Sequence, residues 1–276
     1  MVSRRDFLGL GAATLAAGGR LLGAEAEAAK KSPIGLQLYT LRREAGKDLP
    51  GTIAAVAKAG YKAVEFAGYY NRKAEELKKL LDDNGLKCCG THTGMGTLLG
   101  DNLKKTVEFN KAIGNRYLMV PGGVGGKTKE SWVEAAKRFT DIAEKLKPEG
   151  MVTGYHNHAH EFKKFGPDDP ETPWDVLFSN AGQDVAMQLD IGNGMGGGCD
   201  PVATLKKFPG RAITLHVKGF GGIVGEDKAP WPEIFALCET TGKTEWYIVE
   251  QDGSGKYSPL DTIQRVMDNL KKMGKV

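Results

Sequence analysis

From Ile34 onward the chain alternates short apolar runs with longer amphipathic segments. The runs Ile34–Tyr39, Ala63–Phe66, Leu86–Thr91, Arg116–Val120, Met151–Tyr155, Val185–Leu189, Ala212–Leu215 and Trp246–Val249 predict strands. The segments Leu49–Ala59, Lys73–Asn84, Asn102–Ile113, Glu130–Leu146, Trp174–Ser179, Pro201–Lys207, Trp231–Thr240 and Leu260–Lys272 predict a helix after each of them. Gly85 follows the second helix, where a left-handed residue ends a helix most easily. Several strands are unbroken apolar runs, as expected when both faces are covered. Strand–helix units of roughly 30 residues, repeated this often, predict a (β/α)8 TIM barrel. A doubly wound open sheet is the alternative. It usually carries a phosphate-binding glycine loop, and neither Gly94-Met95-Gly96 nor the run Gly122-Gly123-Val124-Gly125-Gly126 has that spacing opening into a helix.

The first residues read differently. Ser3-Arg4-Arg5-Asp6-Phe7-Leu8 is a twin-arginine motif, followed by a Gly- and Ala-rich run from Leu8 to Leu22. Ala24-Glu25-Ala26-Glu27-Ala28 then offers small residues spaced for cleavage. Residues 1–29 are therefore expected to be a Tat signal peptide and linker, and residues 30–276 the barrel, in a periplasmic or otherwise exported protein. The plain alternative is an amphipathic N-terminal helix. The run is too short and Gly-rich for a stable membrane anchor, and no cysteine follows it to carry a lipid. The net charge of +4 includes the early arginines. No dense basic patch interleaved with aromatics appears, which argues against nucleic acid as a partner. Cys88, Cys89, Cys199 and Cys238 lack zinc-ribbon spacing. The adjacent pair in a predicted strand suits buried thiols better than a disulfide framework.

Candidate chemistry collects at strand ends. Gly154-Tyr155-His156-Asn157-His158-Ala159-His160-Glu161-Phe162 holds three of the five histidines. It is either a solvated loop or the floor of a metal site. The later strand ends favour the metal site: after His156 come Asp190, His216 and Glu250, each about one unit further on. In a TIM barrel these ends share one catalytic face. Mixed imidazole and carboxylate donors suit Mn²⁺, Zn²⁺, Co²⁺ or Fe²⁺ better than Ca²⁺. Other residues have two readings each. Glu65 binds a substrate hydroxyl or forms a salt bridge inside the barrel. His92 hydrogen-bonds substrate or is structural. Lys218 holds a carbonyl or enolate oxygen or is a solvated lysine. Trp231 stacks on a sugar face or packs at a helix start. His160 reads as structural or solvent-facing, and Asn193 as a turn residue.

Several motifs carry a resemblance. Gly35-Leu36-Gln37-Leu38-Tyr39, Gly60-Tyr61-Lys62-Ala63-Val64-Glu65, Leu189-Asp190-Ile191-Gly192-Asn193, Leu215-His216-Val217-Lys218 and Val249-Glu250 resemble those of the sugar phosphate isomerase/epimerase family with the xylose-isomerase-like TIM barrel. The likeness covers Ile34 to Lys272. It implies one divalent metal, Mn²⁺ foremost with Zn²⁺, Co²⁺, Mg²⁺ or Fe²⁺ open, and chemistry at carbons beside a carbonyl. By position Asp190, His216 and Glu250 match three of the family's four ligands. The fourth is commonly Glu; here it is His156. The resemblance implies paired metal-bound glutamates in the epimerases. This chain keeps Glu250 as the catalytic base, and either Glu161 or His158 takes the second acid–base role. The expected function is a metal-dependent isomerase or epimerase of a keto-sugar or related hydroxy-carbonyl compound, acting through an enediolate. A lyase or hydratase cleaving 3-keto-glycosides and a non-catalytic carbohydrate-binding barrel are the alternatives. The expected partner is a small carbohydrate, with homo-oligomer formation open. Export favours free sugars and glycosides over sugar phosphates.

Overall fold

A computed structural model describes residues 31–252 and 256–276, within a compact unit running from Lys31 to Val276. The expected export signal over residues 1–29 lies outside the described residues. Eight parallel strands close into a barrel in chain order. They are β1 (Ile34–Gln37), β2 (Ala63–Phe66), β3 (Lys87–His92), β4 (Tyr117–Val120), β5 (Val152–His156), β6 (Ala186–Asp190), β7 (Thr214–Val217) and β8 (Trp246–Val249). The helices are α1 (Arg42–Lys47), α2 (Leu49–Lys58), α3 (Ala74–Asp83), α4 (Asp101–Ala112), α5 (Lys129–Leu146), α6 (Pro173–Asn180), α7 (Ile191–Gly196), α8 (Pro201–Lys207), α9 (Trp231–Leu237) and α10 (Pro259–Lys272). This is the TIM barrel that the strand–helix alternation predicts.

Two differences from the sequence reading matter for the site. The first strand stops at Gln37, because the Gln37 carboxamide oxygen accepts from the Tyr39 amide at 3.0 Å and starts a 3-10 turn over Leu38–Leu41. The strands β5, β6 and β7 end one or two residues later than expected, which brings His156, Asp190 and His216 into the strands themselves. The short helices α1 and α7 were not legible, since six residues cannot display a helical period.

Alternate strand residues face opposite sides of the wall. Outward residues such as Val64, Phe66, Leu118, Tyr155, Leu189 and Leu215 join one continuous core with the helices. Inward residues form two small separate clusters, Ala63 with Cys89 and Ile248, and Tyr117 with Met119 and Ala186. Above them the bore is polar. Glu65 accepts from Gln37 Nε2 at 2.7 Å and from Gln188 Nε2 at 2.9 Å, and Gln188 also reaches Thr214 at 3.0 Å. Gly90 makes room for this network: a Cβ there would lie 2.2 Å from Glu65 Oε1. All four described cysteines are free thiols, three of them buried. Among the described residues no helix is long and apolar enough to cross a membrane.

Candidate metal centre

The site is built by consecutive strands. β5 and β6 end in His156 and Asp190, His216 is the penultimate residue of β7, and Glu250 directly follows β8. Register aligns Asp190 with His216 across β6 and β7. One donor atom from each of the four lies within 4.8 Å of the others, and all four residues are buried. His156 Nδ1, Asp190 Oδ2 and His216 Nδ1 have no hydrogen-bond partner. Such buried orphans are costly and rare. Three of the five among the described residues point to this one spot. His216 Nδ1 approaches Glu250 Oε2 at 3.1 Å and Asp190 Oδ2 at 3.7 Å without hydrogen-bond alignment. Two imidazole nitrogens and two carboxylates converging in this way fit a divalent transition metal.

Neighbouring side chains aim these donors. Glu65 Oε2 lies 2.6 Å from His216 Nε2, which fixes the proton there and leaves Nδ1 to face the centre. Asp190 splits its carboxylate. Oδ1 accepts from the Asn193 amide at 2.7 Å, capping α7, and Oδ2 stays free. Asn157 ties β5 to β6 by accepting from the Asp190 amide at 2.7 Å and donating to the Asp190 carbonyl at 3.1 Å. Lys218 Nζ sits 3.2 Å from Glu250 Oε1 and 2.5 Å from Asp252 Oδ2.

The electrostatics follow from burial and charge. Burial, reinforced by His216 and His92, drives the His156 imidazole well below its usual range, so it is neutral. Burial works against charge on His216 too, but Glu65, Asp190 and Glu250 outweigh it and push it well above the usual range. Burial also opposes ionisation of Glu250, yet His216, His156 and Lys218 hold its carboxyl well below normal. Asp190 is raised, chiefly by burial. Above the donors opens a cavity of about 650 Å³ at the barrel mouth. His92, His156, His158, Lys218 and Glu250 line it, together with Tyr39, Arg42, Asn193 and Asp252.

The model of the xylose isomerase-like TIM barrel family matches residues 53–273. The chain belongs to that family. It is similar to the rhizopine catabolism protein MocC of Rhizobium meliloti, with 24% identity across 83% of each chain. A sugar phosphate isomerase/epimerase from Parabacteroides distasonis has a similar solved structure. It is 24% identical with a TM-score of 0.80, over 91% of this chain and 97% of its own. The probable 3-DHS dehydratase AsbF of Bacillus anthracis shares the fold at 15% identity and a TM-score of 0.65, over 87% of this chain and 98% of its own. At these identities the structural likenesses speak to the fold.

In this xylose isomerase-like barrel the remaining candidates fall into two groups. His92, His158 and Lys218 reach the cavity. His92 Nε2 is held at 2.8 Å by Gln188 Oε1, with its ring centroid 4.6 Å from that of His156. His158 lies just beyond β5, exposed, edge-on to His156 at 5.2 Å. Three expectations are corrected. Glu65 cannot bind a substrate hydroxyl: it is fully buried and both oxygens are engaged by Gln37, Gln188 and His216. Glu161 is no free acid or base. It is fully buried, accepting from Tyr155 Oη at 2.6 Å and from the His158 amide at 2.8 Å, and so shapes the loop that presents His158. Trp231 stacks on no sugar. Its ring is buried against Phe235 and its indole donates to Asp227 at 2.8 Å. His160 stays outside the cavity, 3.1 Å from Glu161. Arg42 and Asp252 were not picked out from sequence, and Tyr39 and Asn157 stood only within quoted motifs, without a role. Asp252 was findable, two residues beyond Glu250; the others needed the fold.

Proposed function

We propose that this protein is a divalent-metal-dependent isomerase or epimerase of a keto-sugar or related hydroxy-carbonyl compound. The observation that carries the reading is the convergence of three unpartnered donor atoms with Glu250, in a cluster whose His156 and Glu250 line the cavity. His156, Asp190, His216 and Glu250 would hold the ion, Mn²⁺ foremost. A bound ion there supplies Lewis-acid polarisation of a carbonyl oxygen.

The chain's own groups do the rest. Glu250 is ionised and takes the proton from the carbon beside the carbonyl. Lys218 stays an ammonium, because Asp190, Glu250 and Asp252 outweigh the cost of its burial. It can stabilise negative charge developing on an enediolate oxygen. Asp252 anchors that ammonium. His158, just beyond β5, lines the cavity and would return the proton. Reprotonation at a neighbouring carbon isomerises; at the opposite face of the same carbon it epimerises. The twin-arginine pattern at residues 3–8 supports export, where free sugars and glycosides abound.

A second reading is elimination of a β-oxygen substituent, giving a lyase or hydratase. It is favoured by the engagement of Glu161, which leaves β5 with imidazoles and no free carboxylate at the cavity. Incubation of Mn²⁺-loaded protein with keto-sugars in heavy water separates the two. Deuterium gain in a recovered isomer supports the first; loss of water or an aglycone supports the second. Glu250→Gln is expected to slow exchange by about 10²–10⁴-fold. Undiminished exchange in that variant, or stoichiometric metal in Asp190→Ala, would sink the assignment.

A further inference from the structure

The cavity holds more than its metal-facing end requires. Its 650 Å³ is in the range of about 300–1,000 Å³ that takes ligands of drug size. At its rim stands Tyr39, 48% exposed and the one exposed Phe, Tyr or Trp ring among the described residues. The ring is not loose. The Arg42 guanidinium lies over it, 4.4 Å from the centroid, and Arg42 Nη1 donates to the Tyr39 carbonyl at 2.9 Å. The 3-10 turn capped by Gln37 fixes the backbone beneath. A rigid aromatic face at the mouth of a polar cavity is suited to the apolar C–H face of a pyranose ring.

We propose that Tyr39 and Arg42 form an outer subsite for a second sugar ring, so that the substrate is a neutral disaccharide or glycoside. This rests on the carbohydrate reading above and narrows it. Charge argues for neutrality. The cavity wall carries two cations, and Lys218 is already paired with Glu250 and Asp252. Arg42 is the other, its guanidinium set against the Tyr39 ring and carbonyl. With Lys218 and two carboxylates, Glu250 and Asp252, on the same wall, the Arg42 guanidinium leaves no net positive charge to attract a phosphate dianion. It is well placed to donate to neutral ring hydroxyls.

Calorimetric binding to the Mn²⁺-loaded protein tests this with glucose, glucose 6-phosphate and a panel of cellobiose, maltose, lactose and trehalose. At least one disaccharide should bind about tenfold tighter than glucose or glucose 6-phosphate. Tyr39→Ala should bring that preference to within about twofold, and Tyr39→Phe should keep it. Equal affinity for all, preference for the phosphate, or an unchanged preference in Tyr39→Ala overturns the subsite. Turnover is not needed for this readout. A protein that grips disaccharides through Tyr39 yet interconverts no sugar keeps the subsite and overturns the isomerase reading.

Discussion

Glu65 touches no solvent, yet it decides how His216 meets an ion. The imidazole is charged in the metal-free protein, because Glu65, Asp190 and Glu250 outweigh its burial. Its Nδ1 must shed a proton before it can donate a lone pair. Since the bound form lacks that proton, affinity rises with pH and falls as pH drops. Binding of Mn²⁺ at pH 7 should therefore release about one proton, read by calorimetry in two buffers of different ionisation enthalpy. Glu65→Gln should reduce the release and weaken the ion about tenfold. Unchanged release in that variant would remove Glu65 from the role given to it here. The residue for which the sequence left substrate contact or a salt bridge inside the barrel open thus acts through a ligand. The contact joins positions 151 apart in the chain, beyond the reach of any local pattern.

At the scale of elements, the meeting of β5 and β6 sets the spacing of the first two donors. Asn157 clamps the Asp190 backbone from the end of β5. Gly154 lets the two strands approach: a Cβ there would lie 2.2 Å from the Ala186 carbonyl oxygen, a backbone atom that cannot swing aside. Gly154→Ala should cost about 1–3 kcal/mol in urea unfolding, through overpacking. Metal affinity should fall with it, since His156 and Asp190 move apart. A variant of unchanged stability and affinity would show that the barrel absorbs the shift elsewhere. Strand existence was legible because each strand is a concentrated apolar run. The strand ends were misplaced by a residue or two, because hydrogen bonding to the neighbouring strand, and not hydropathy, decides where a strand stops. The loop after β5 was legible as a polar cluster, but Glu161 looked available. Its partners Tyr155 and the His158 amide appear only once the chain turns back over the strand.

For the whole molecule, an ion that binds only the folded barrel must stabilise it. At a hundredfold excess over Kd the gain is about 2.7 kcal/mol, several degrees in melting temperature for a domain of this size. Calorimetric scans with and without Mn²⁺, reversed by chelator, check this; no shift with any divalent cation would argue against a resident metal. Sequence alone determined the eightfold repeat and the order of its elements, since hydrophobic burial on both faces of each strand writes itself into composition. It also marked His156, Asp190, His216 and Glu250, because a barrel collects consecutive strand ends at one mouth. Tertiary structure decided which polar residues look into that mouth and which are used up beneath it. Glu65 and Glu161 are spent on His216, Tyr155 and a loop amide, and Trp231 on the core, while Tyr39 and Arg42 are left standing at the rim. The reason is physical: a side chain's availability depends on what occupies its hydrogen bonds and its faces, and those partners come from distant parts of the chain.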